Sequence, residues 1–435
     1  MKIVFQDPTF SLQLLRVIGE TYYKCADIGE CLSTAYRIKE GDFESWHTEW
    51  LKTAKRIHGY ADDCFSKGHL TSAKEAYLRA SNYYRVSEFM LIDPEDSRIQ
   101  TTWENSKECF AKAINLLPYD VEQIEIPYEE TTLPGHFYHY KSKEEEMSNN
   151  KNDNDNIEKD NNSSISKLSS CNSSSSYPTL IVHGGFDSTL EELYSSAAAH
   201  ALDRGYNCLT FEGPGQGGVI RKQKIPFRYD WEKVVSPVID YAIQKKDEFA
   251  IDTKRIALMG ISMGGYLAAR AAAFDNRISA CILYNGVYDG YDATASSFPK
   301  PLLTAIDKSD SEYVNRTIKN LMESDPNIRF NIKHGMWTTG THTPYELIIG
   351  SKKYTIKDTL SNIRCSTLVL EAEKDDSFPG QPKKVYDGLT SASSKTYILF
   401  TEEEGAEEHC QCGAPAISNQ RIFDWLDETF DNQYH

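Results

Sequence analysis

The chain has 435 residues, a formal net charge of -17 and a hydrophobic fraction of 40%. This length predicts a core of about 250 residues with an added module, and the negative charge disfavours nucleic acid as a partner. The first residues do not read as a signal peptide, and no apolar run reaches the roughly 18 residues of a membrane span, so no membrane partner is expected. Ten scattered cysteines indicate neither a disulfide framework nor a zinc site, and they favour a cytoplasmic location.

Residues 1–117 show helical periodicity and almost no strand signal. Two clear helical segments are SWHTEWLKTAKRIHGYADDCF and TSAKEAYLRASNYYRVSEFML. We therefore predict an all-helical cap module at 1–117, followed by a catalytic domain at 118–435. Several aromatic residues of the module fit core packing and a pocket for aromatic substrates equally well. They are Trp46, Trp50, Tyr60, Tyr83 and Tyr84.

Two features precede the main run of strands. The segment 121–140 alternates apolar and polar residues around Leu133-Pro134-Gly135, which predicts a β-hairpin with its turn there. From 141 to 176 the chain becomes rich in Asn, Ser, Asp, Glu and Lys. This composition buries too little apolar surface to offset the entropy lost on ordering. We predict a disordered insertion at 141–176 that forms a surface loop between two strands of one sheet.

Six short apolar strands alternate with helical stretches from residue 177 onward. The strand segments are TLIVHGG, NCLTFEG, RIALMGI, ISACILYNG, STLVLEAE and KTYILF. Strands that are buried on both faces and separated by helices predict an α/β fold with a mostly parallel sheet and helices on both faces. Residues 286–360, between the fourth and fifth of these strands, are too many for a simple connection. We predict that they form a lid over the C-terminal ends of the strands.

The third of these strands runs into the sequence GISMG, which an Ala-rich helix follows. This pattern predicts a nucleophile elbow, in which a strained turn exposes the serine, here Ser262. The N–H of Met263, at the start of the helix, would form half of an oxyanion hole. The other half is expected from the loop HGGF, through the N–H of Phe186 or alternatively that of Gly185. His183 in the same loop is expected to be bonded into the end of its strand without a catalytic role.

A serine nucleophile requires a base, and after an elbow the carboxylate and the histidine follow in that order. The strand STLVLEAE ends in two adjacent aspartates, and we predict Asp375 because its side chain has room to curl back under an imidazole. Asp376 is the alternative and is expected to be solvated. His409 follows both this strand and the last strand, so it is the predicted base, and the glutamates around it should raise its pKa. Cys410 and Cys412 fit small packing residues or redox-sensitive thiols.

Segments along nearly the whole chain together resemble one family. Besides the elbow, they are ADIGECLSTAYRIKEGDFESW, IPYEETTLPGHFY, GGFDSTLEELY, FEGPGQG, EKDDSFPGQPKKVYD and FTEEEGAEEHCQ. The family is that of the α/β-hydrolases that include bacterial 2,6-dihydroxypseudooxynicotine hydrolase and fungal enzymes that shorten polyketides. The resemblance implies an α/β-hydrolase fold with a helical cap over the active site, and a triad of Ser262, Asp375 and His409. The stretch 141–176 has no counterpart in the family, and the cap varies within it, so substrate identity does not carry over.

We therefore expect a serine hydrolase that acts on a small-molecule carbonyl substrate, with no cofactor and no metal. The resemblance implies that this substrate is a ketone or polyketide-like compound, in some members split at a carbon–carbon bond. A general carboxylesterase or an oligopeptidase-type peptidase is the first alternative, although no propeller repeat is visible. A non-catalytic binding protein of this fold is the second, and the complete Ser, Asp and His set argues against it. A homodimer is compatible with the sequence, which does not determine the oligomeric state.

Overall fold

The computed structural model describes residues 1–141, 176–295 and 298–431. The insertion predicted at 141–176 therefore lies outside the described residues, except for its first and last positions. Within the described ranges, no helix combines the length and the apolar composition that crossing a bilayer requires.

The N-terminal region is built from α-helices, four of which have an aspartate as the N-cap residue directly before the first helical residue. Asp7, Asp27, Asp42 and Asp96 each accept a hydrogen bond from an N–H in the first turn of their helix, which satisfies a donor that has no partner within the helix. The helices are α1 (Pro8–Gly19), α2 (Ile28–Ala35), α3 (Phe43–Ser66), α4 (Leu70–Glu88) and α5 (Ser97–Ile114). An all-helical N-terminal module thus precedes the first strand, as predicted.

Most aromatic residues of these helices lie in a hydrophobic core. Trp46 and Trp50 are fully buried, and the Trp46 Nε1–H donates to the carbonyl oxygen of Val86 at 2.8 Å. Tyr60, in contrast, is an exposed side chain. The same apolar core continues onto one face of the sheet, where it includes Met259. Core packing therefore accounts for these aromatic side chains, and the helical module packs directly on the sheet.

A single eight-stranded sheet has the order β1-β2-β4-β3-β5-β6-β7-β8. Strands β1 and β2 are antiparallel to their neighbours, and β3 to β8 are parallel, so the prediction of a mostly parallel sheet is confirmed. The strands are β1 (Val121–Tyr128), β2 (Thr131–Tyr138), β3 (Tyr177–His183), β4 (Asn207–Phe211), β5 (Ile251–Ile261), β6 (Ala280–Tyr284), β7 (Ser366–Ala372) and β8 (Lys395–Phe400).

Helices cover both faces of this sheet. On the face shared with the N-terminal module lie α6 (Ala199–Asp203), which continues a π-helical turn (Tyr194–Ala198), and the C-terminal helix Pro415–Phe430. The opposite face is covered by α7 (Glu232–Gln244), α8 (Gly264–Ala272) and the helix Gln381–Gly388. The apolar residues of the strands are thereby buried on both faces, which is why these segments read as continuous apolar runs.

The hairpin of β1 and β2 is present, but the prediction that its turn lies at Leu133-Pro134-Gly135 is wrong. The turn is at Glu129-Glu130, and Pro134 and Gly135 lie within β2. The Pro134 carbonyl oxygen accepts a hydrogen bond from the Glu212 N–H, on the side of β2 away from β1. The N–H and the carbonyl of one strand residue point to the same side, so the N–H that proline lacks would not have bonded to β1. Gly135 allows a close approach, because a β-carbon there would lie 2.6 Å from the Thr210 carbonyl oxygen.

Residues 286–360 form a group of short helices after β6 that share a small core of their own. This core contains Leu302, Ile318, Ile332 and Ile348. The helices are α9 (Gly290–Ala295), α10 (Lys300–Asp307), α11 (Ser311–Ser324), α12 (Pro326–Thr339) and α13 (Pro344–Ser351). Helix α12 contacts the loop after β3, since the His334 ring lies against Phe186. Their action as a lid remains a prediction.

Candidate active site

The turn between β5 and α8 has the geometry of a nucleophile elbow. Ser262 has a φ of 62°, a left-handed conformation that strains a residue with a side chain. Its N–H donates to the Tyr284 carbonyl oxygen at 2.8 Å, which fixes the turn to the neighbouring strand β6. A β-carbon at Gly260 would lie 2.0 Å from the Gly264 carbonyl oxygen, so the tight turn requires glycine there. The half-buried Ser262 side chain stands at the C-terminal end of the parallel strands.

The predicted serine, histidine and aspartate lie in one hydrogen-bonded line. The Ser262 Oγ is 2.8 Å from the His409 Nε2, and the His409 Nδ1 is 2.9 Å from the Asp375 Oδ2. The Asp375 side chain is buried, and its other oxygen accepts the Ser377 N–H at 2.8 Å. Asp376 is exposed to solvent, as expected for the alternative carboxylate. The structure therefore brings Asp375 and not Asp376 to the histidine.

The charges of the pair stabilise each other. Burial lowers the pKa of His409, but the Asp375 carboxylate outweighs it and places this pKa well above the ordinary value for histidine. Burial raises the pKa of Asp375, but His409 and two backbone N–H groups outweigh it and hold this pKa below its ordinary value. The pKa of His409 is raised in the predicted direction, and the groups that raise it most are Asp375 and Cys410, which both contact the ring. A further contribution from the neighbouring glutamates stays a prediction.

Backbone N–H groups converge beside Ser262. Within the described ranges, neither the N–H of Met263 nor the N–H of Phe186 donates to a protein acceptor. The loop after β3 comes close at Gly185, where a β-carbon would lie 2.8 Å from the Met263 amide nitrogen. The three residues predicted for an oxyanion hole are thus neighbours in space. Such an arrangement of free donors beside a serine can stabilise a negatively charged oxygen.

Known proteins match both the catalytic region and the whole chain. A sequence model of the Alpha/beta hydrolase family matches residues 179–399. The chain belongs to the α/β-hydrolase family. The hydrolase LUC6 of Fusarium sp is 35% identical to it, over 99% of this chain and 98% of that protein. The 20-hydroxy-prefusarin hydrolase FUS2 of Gibberella moniliformis is also 35% identical, over 99% of this chain and 98% of that protein.

A solved structure confirms the fold of this α/β-hydrolase. The crystal structure of the 2,6-dihydroxy-pseudo-oxynicotine hydrolase superposes with a TM-score of 0.69, covering 94% of this chain and 95% of that one, at 22% identity. The predicted fold class and the family resemblance are both confirmed. Since the family and its similar members are hydrolases, the prediction that this chain is a hydrolase enzyme is confirmed as well.

Several residues at this site of the α/β-hydrolase were not predicted from the sequence. Asn285, directly after β6, donates its Nδ2–H to the same oxygen of Asp375 that faces His409. Cys410 has a φ of 51° and places its Sγ 3.4 Å from the His409 Nε2. Its thiol therefore contacts the histidine, whereas Cys412 is a half-buried neighbour. Residue type alone could not reveal these contacts, because they depend on how three separate loops meet.

Two histidines hold the loop after β3. The His183 Nδ1 lies 2.9 Å from the Gly184 carbonyl oxygen, and burial lowers the pKa of this histidine to about 4. A neutral, buried imidazole agrees with the expectation that His183 has no catalytic role. His334 of α12 was not predicted, and its Nε2 lies 3.0 Å from the Phe186 carbonyl oxygen. Helix α12 thus contacts the residue that offers the free N–H.

Gln216, within the segment FEGPGQG, holds the same loop through hydrogen bonds from its side-chain amide. Its buried Nε2–H2 donates to the Gly184 carbonyl at 2.8 Å and to the Gly185 carbonyl at 3.1 Å. Its Oε1 accepts the Gly213 N–H at 2.8 Å, which leaves the amide no alternative orientation. Gln216 therefore positions the loop that carries the predicted oxyanion donor.

Gln216→Glu should lower kcat about 10²-fold, because a carboxylate would face two carbonyl oxygens and displace the loop by repulsion. The matched control is Gln223→Glu, since the Gln223 Nε2 also donates to a backbone carbonyl, that of Thr132 at 2.9 Å, on the edge of the sheet. Steady-state kinetics would measure the kcat of both variants, and thermal melting would show whether both remain folded. Equal losses of kcat would show that the effect of Gln216 is not local.

Proposed function

We propose that this hydrolase uses Ser262 as its nucleophile, His409 as its general base and Asp375 as the carboxylate that stabilises the imidazolium. The observation that supports this most directly is the continuous line of hydrogen-bonding contacts from the Ser262 Oγ through His409 to Asp375. In this line each group can perform the role that the chemistry requires of it. The strained elbow and the unpaired N–H groups beside it support the same assignment.

The proposed reaction begins with attack of the Ser262 oxygen on a substrate carbonyl carbon while His409 accepts the serine proton. The carbonyl oxygen gains the electron pair of its π bond, and the N–H groups of Met263 and Phe186 stabilise the resulting oxyanion. When the oxyanion collapses, the bond to the leaving group breaks and His409 returns the proton to that group. Water then attacks the acyl-serine by the same steps and releases a carboxylic acid.

The proposed substrate is a ketone or a polyketide-like compound, and the bond that breaks is a carbon–carbon bond. Support comes from two similar proteins, which are named as hydrolases of 20-hydroxy-prefusarin and of 2,6-dihydroxy-pseudo-oxynicotine. A carbon leaving group has to depart as an enolate or as an electron-rich aromatic carbon, because only such carbanions are stabilised enough to leave the tetrahedral intermediate, after which His409 protonates them. A β-diketone provides such an enolate.

The test compares benzoylacetone, a β-diketone, with p-nitrophenyl butyrate, an activated ester. We expect the protein to cleave the diketone to a carboxylic acid and a methyl ketone, with one oxygen atom from labelled water in the acid, as mass spectrometry would show. Turnover of the ester without cleavage of any diketone would contradict the proposed bond and would indicate a carboxylesterase.

The pH dependence of the proposed reaction follows from the charges at the site. The kcat/KM should fall as the pH drops through the pKa of His409, because an imidazolium cannot accept the Ser262 proton. Asp375 raises this pKa, so the midpoint of the acid limb should lie above the ~6.5 of an unperturbed histidine. Asp375→Asn should move the limb to lower pH, and Asp376→Asn should leave it in place. A limb unaffected by Asp375→Asn would assign it to another group.

A further inference from the structure

A small cavity lies between the N-terminal module, the loop after β3 and the lid helix α12. Its walls include Arg85, Glu88 and Phe89 from the end of α4, Asp187 from the loop, and Phe330 from α12. The cavity volume is about 20 Å³. A space of this size holds one oxygen-bearing group, such as a water molecule or a single hydroxyl.

The cavity lies next to the proposed reaction centre. Asp187 follows Phe186, whose N–H is a predicted oxyanion donor, and it forms part of the cavity wall. His334 also forms part of the wall, and its Nε2 lies 3.0 Å from the Phe186 carbonyl oxygen. The cavity wall therefore adjoins the residue that carries the predicted oxyanion donor.

Arg85 brings an unused hydrogen-bond donor to the cavity. Its side chain is 5% exposed, and its Nε and Nη2 lie 3.3 and 3.2 Å from the Asn82 Oδ1. The nearest carboxylate oxygen, of Glu192, is 3.5 Å away, and Arg16 binds that carboxylate at 2.5 and 2.6 Å. Among the residues that the structure describes, the Arg85 Nη1 donates to no acceptor. A guanidinium donor without a protein acceptor is available to an acceptor that enters the cavity.

Glu88 brings an unused acceptor from the next turn of the same helix. Its Oε1 accepts from the Arg221 Nε at 3.0 Å. Its Oε2 is buried and has no hydrogen-bond partner within the described part of the chain. Residues three apart in a helix lie on one face, and Arg85 and Glu88 both line the cavity. One hydroxyl group can satisfy the free donor of Arg85 and the free acceptor of Glu88, because it accepts one hydrogen bond and donates another.

We propose that this cavity binds a hydroxyl group of the substrate, with the Arg85 Nη1–H donating to the hydroxyl oxygen and the Glu88 Oε2 accepting its proton. The inference rests on the proposed function. A ketone oxygen can only accept, and a methyl group or hydrogen atom does neither, so the cavity selects for hydroxyl. The substrate class is therefore a hydroxylated carbonyl compound.

The experiment measures binding in the full-length Ser262→Ala protein, which needs no turnover. The probes are benzoylacetone and the three positional isomers of its ring-hydroxylated derivative, and calorimetry measures their binding. We expect at least one isomer to bind about tenfold more tightly than benzoylacetone itself, because hydrogen bonds to charged groups contribute this much. Equal affinity for all four compounds, or no saturable binding of any, overturns the inference.

Two further substitutions in the same background assign the preference to residues. Arg85→Met removes the donor, and Glu88→Gln changes only the free acceptor to an N–H2 group while its amide oxygen can still accept from Arg221. Each should reduce the hydroxyl preference to about twofold or less. The matched control is Arg79→Met, since Arg79 lies on α4 but pairs with Glu30 at 3.1 Å. It should retain the preference.

The outcomes separate this inference from the proposed function. A hydroxyl preference that persists in Glu88→Gln, the variant that keeps the shape of its side chain, overturns the assignment of the cavity. Failure of wild-type Ser262 to react with a fluorophosphonate would instead overturn the nucleophile and leave the binding result intact. An equal loss of affinity for benzoylacetone and for its hydroxylated derivatives would show that Arg85 has a structural role and would overturn the proposed contact. Only a contact with the hydroxyl changes the ratio of these affinities.

Discussion

Ser262→Ala should abolish turnover, with a loss on the order of 10⁶ in kcat, as in other hydrolases that lose their nucleophile. The substitution removes one oxygen from a half-buried side chain. Within the part of the chain that the structure describes, that oxygen makes one hydrogen bond, at 2.8 Å with the His409 Nε2. Alanine tolerates the left-handed φ of this turn no better than serine does, so no strain is released. We therefore expect the free energy of unfolding to change by less than about 1 kcal/mol.

Covalent labelling provides the sharper measurement. A fluorophosphonate should label wild-type protein on the peptide that contains Ser262 and should fail to label Ser262→Ala. Ser279→Ala is the matched control, because the Ser279 hydroxyl also makes one hydrogen bond at a strand end, to the Lys254 carbonyl at 2.8 Å. It should be labelled like the wild type. Labelling that persisted in Ser262→Ala would place the nucleophile at another residue.

The elbow and its partners were predictable because the signal is local. The turn from β5 into α8 needs small residues at fixed positions, and those positions are visible in the sequence GISMG. The order of the strands then restricts where the carboxylate and the histidine can stand. Choosing Asp375 over Asp376 also used a local argument, namely the distance from the strand end. The structure agrees, since Asp375 is buried and Asp376 is exposed.

Predictions that depended on tertiary contacts were less successful. Pro134 and Gly135 look like turn residues, but Gly135 is required by the approach of β4, which the sequence of the hairpin does not contain. Trp46 suits a pocket by composition, yet it lies in the core of the helical module. The cavity at Arg85 and Glu88 forms where α4, the loop after β3 and α12 come together. No local sequence pattern encodes a contact between three segments that are far apart in the chain.

The surroundings of Asp375 determine how its replacement should act. Every polar group around the carboxylate is a donor: the His409 Nδ1–H and the Asn285 Nδ2–H reach one oxygen, and the N–H groups of Ser377 and Phe378 reach the other. An asparagine amide has one acceptor oxygen and one N–H2 group. In either orientation, its N–H2 therefore faces a donor, and one of the two pairs of contacts is lost.

Asp375→Asn should consequently lower kcat on the order of 10⁴-fold, as in serine hydrolases in which the histidine loses its carboxylate. If the amide nitrogen faces His409, the imidazole is held in the wrong tautomer, and in either case the imidazolium loses the charge that stabilises it. Asp376→Asn, at an exposed position of the same loop, should change kcat by less than about threefold. Steady-state kinetics with a carbonyl substrate, together with thermal melting of both variants, measures the difference. A larger loss in Asp376→Asn than in Asp375→Asn would mean that the carboxylate bonded to His409 is not the one that the reaction uses.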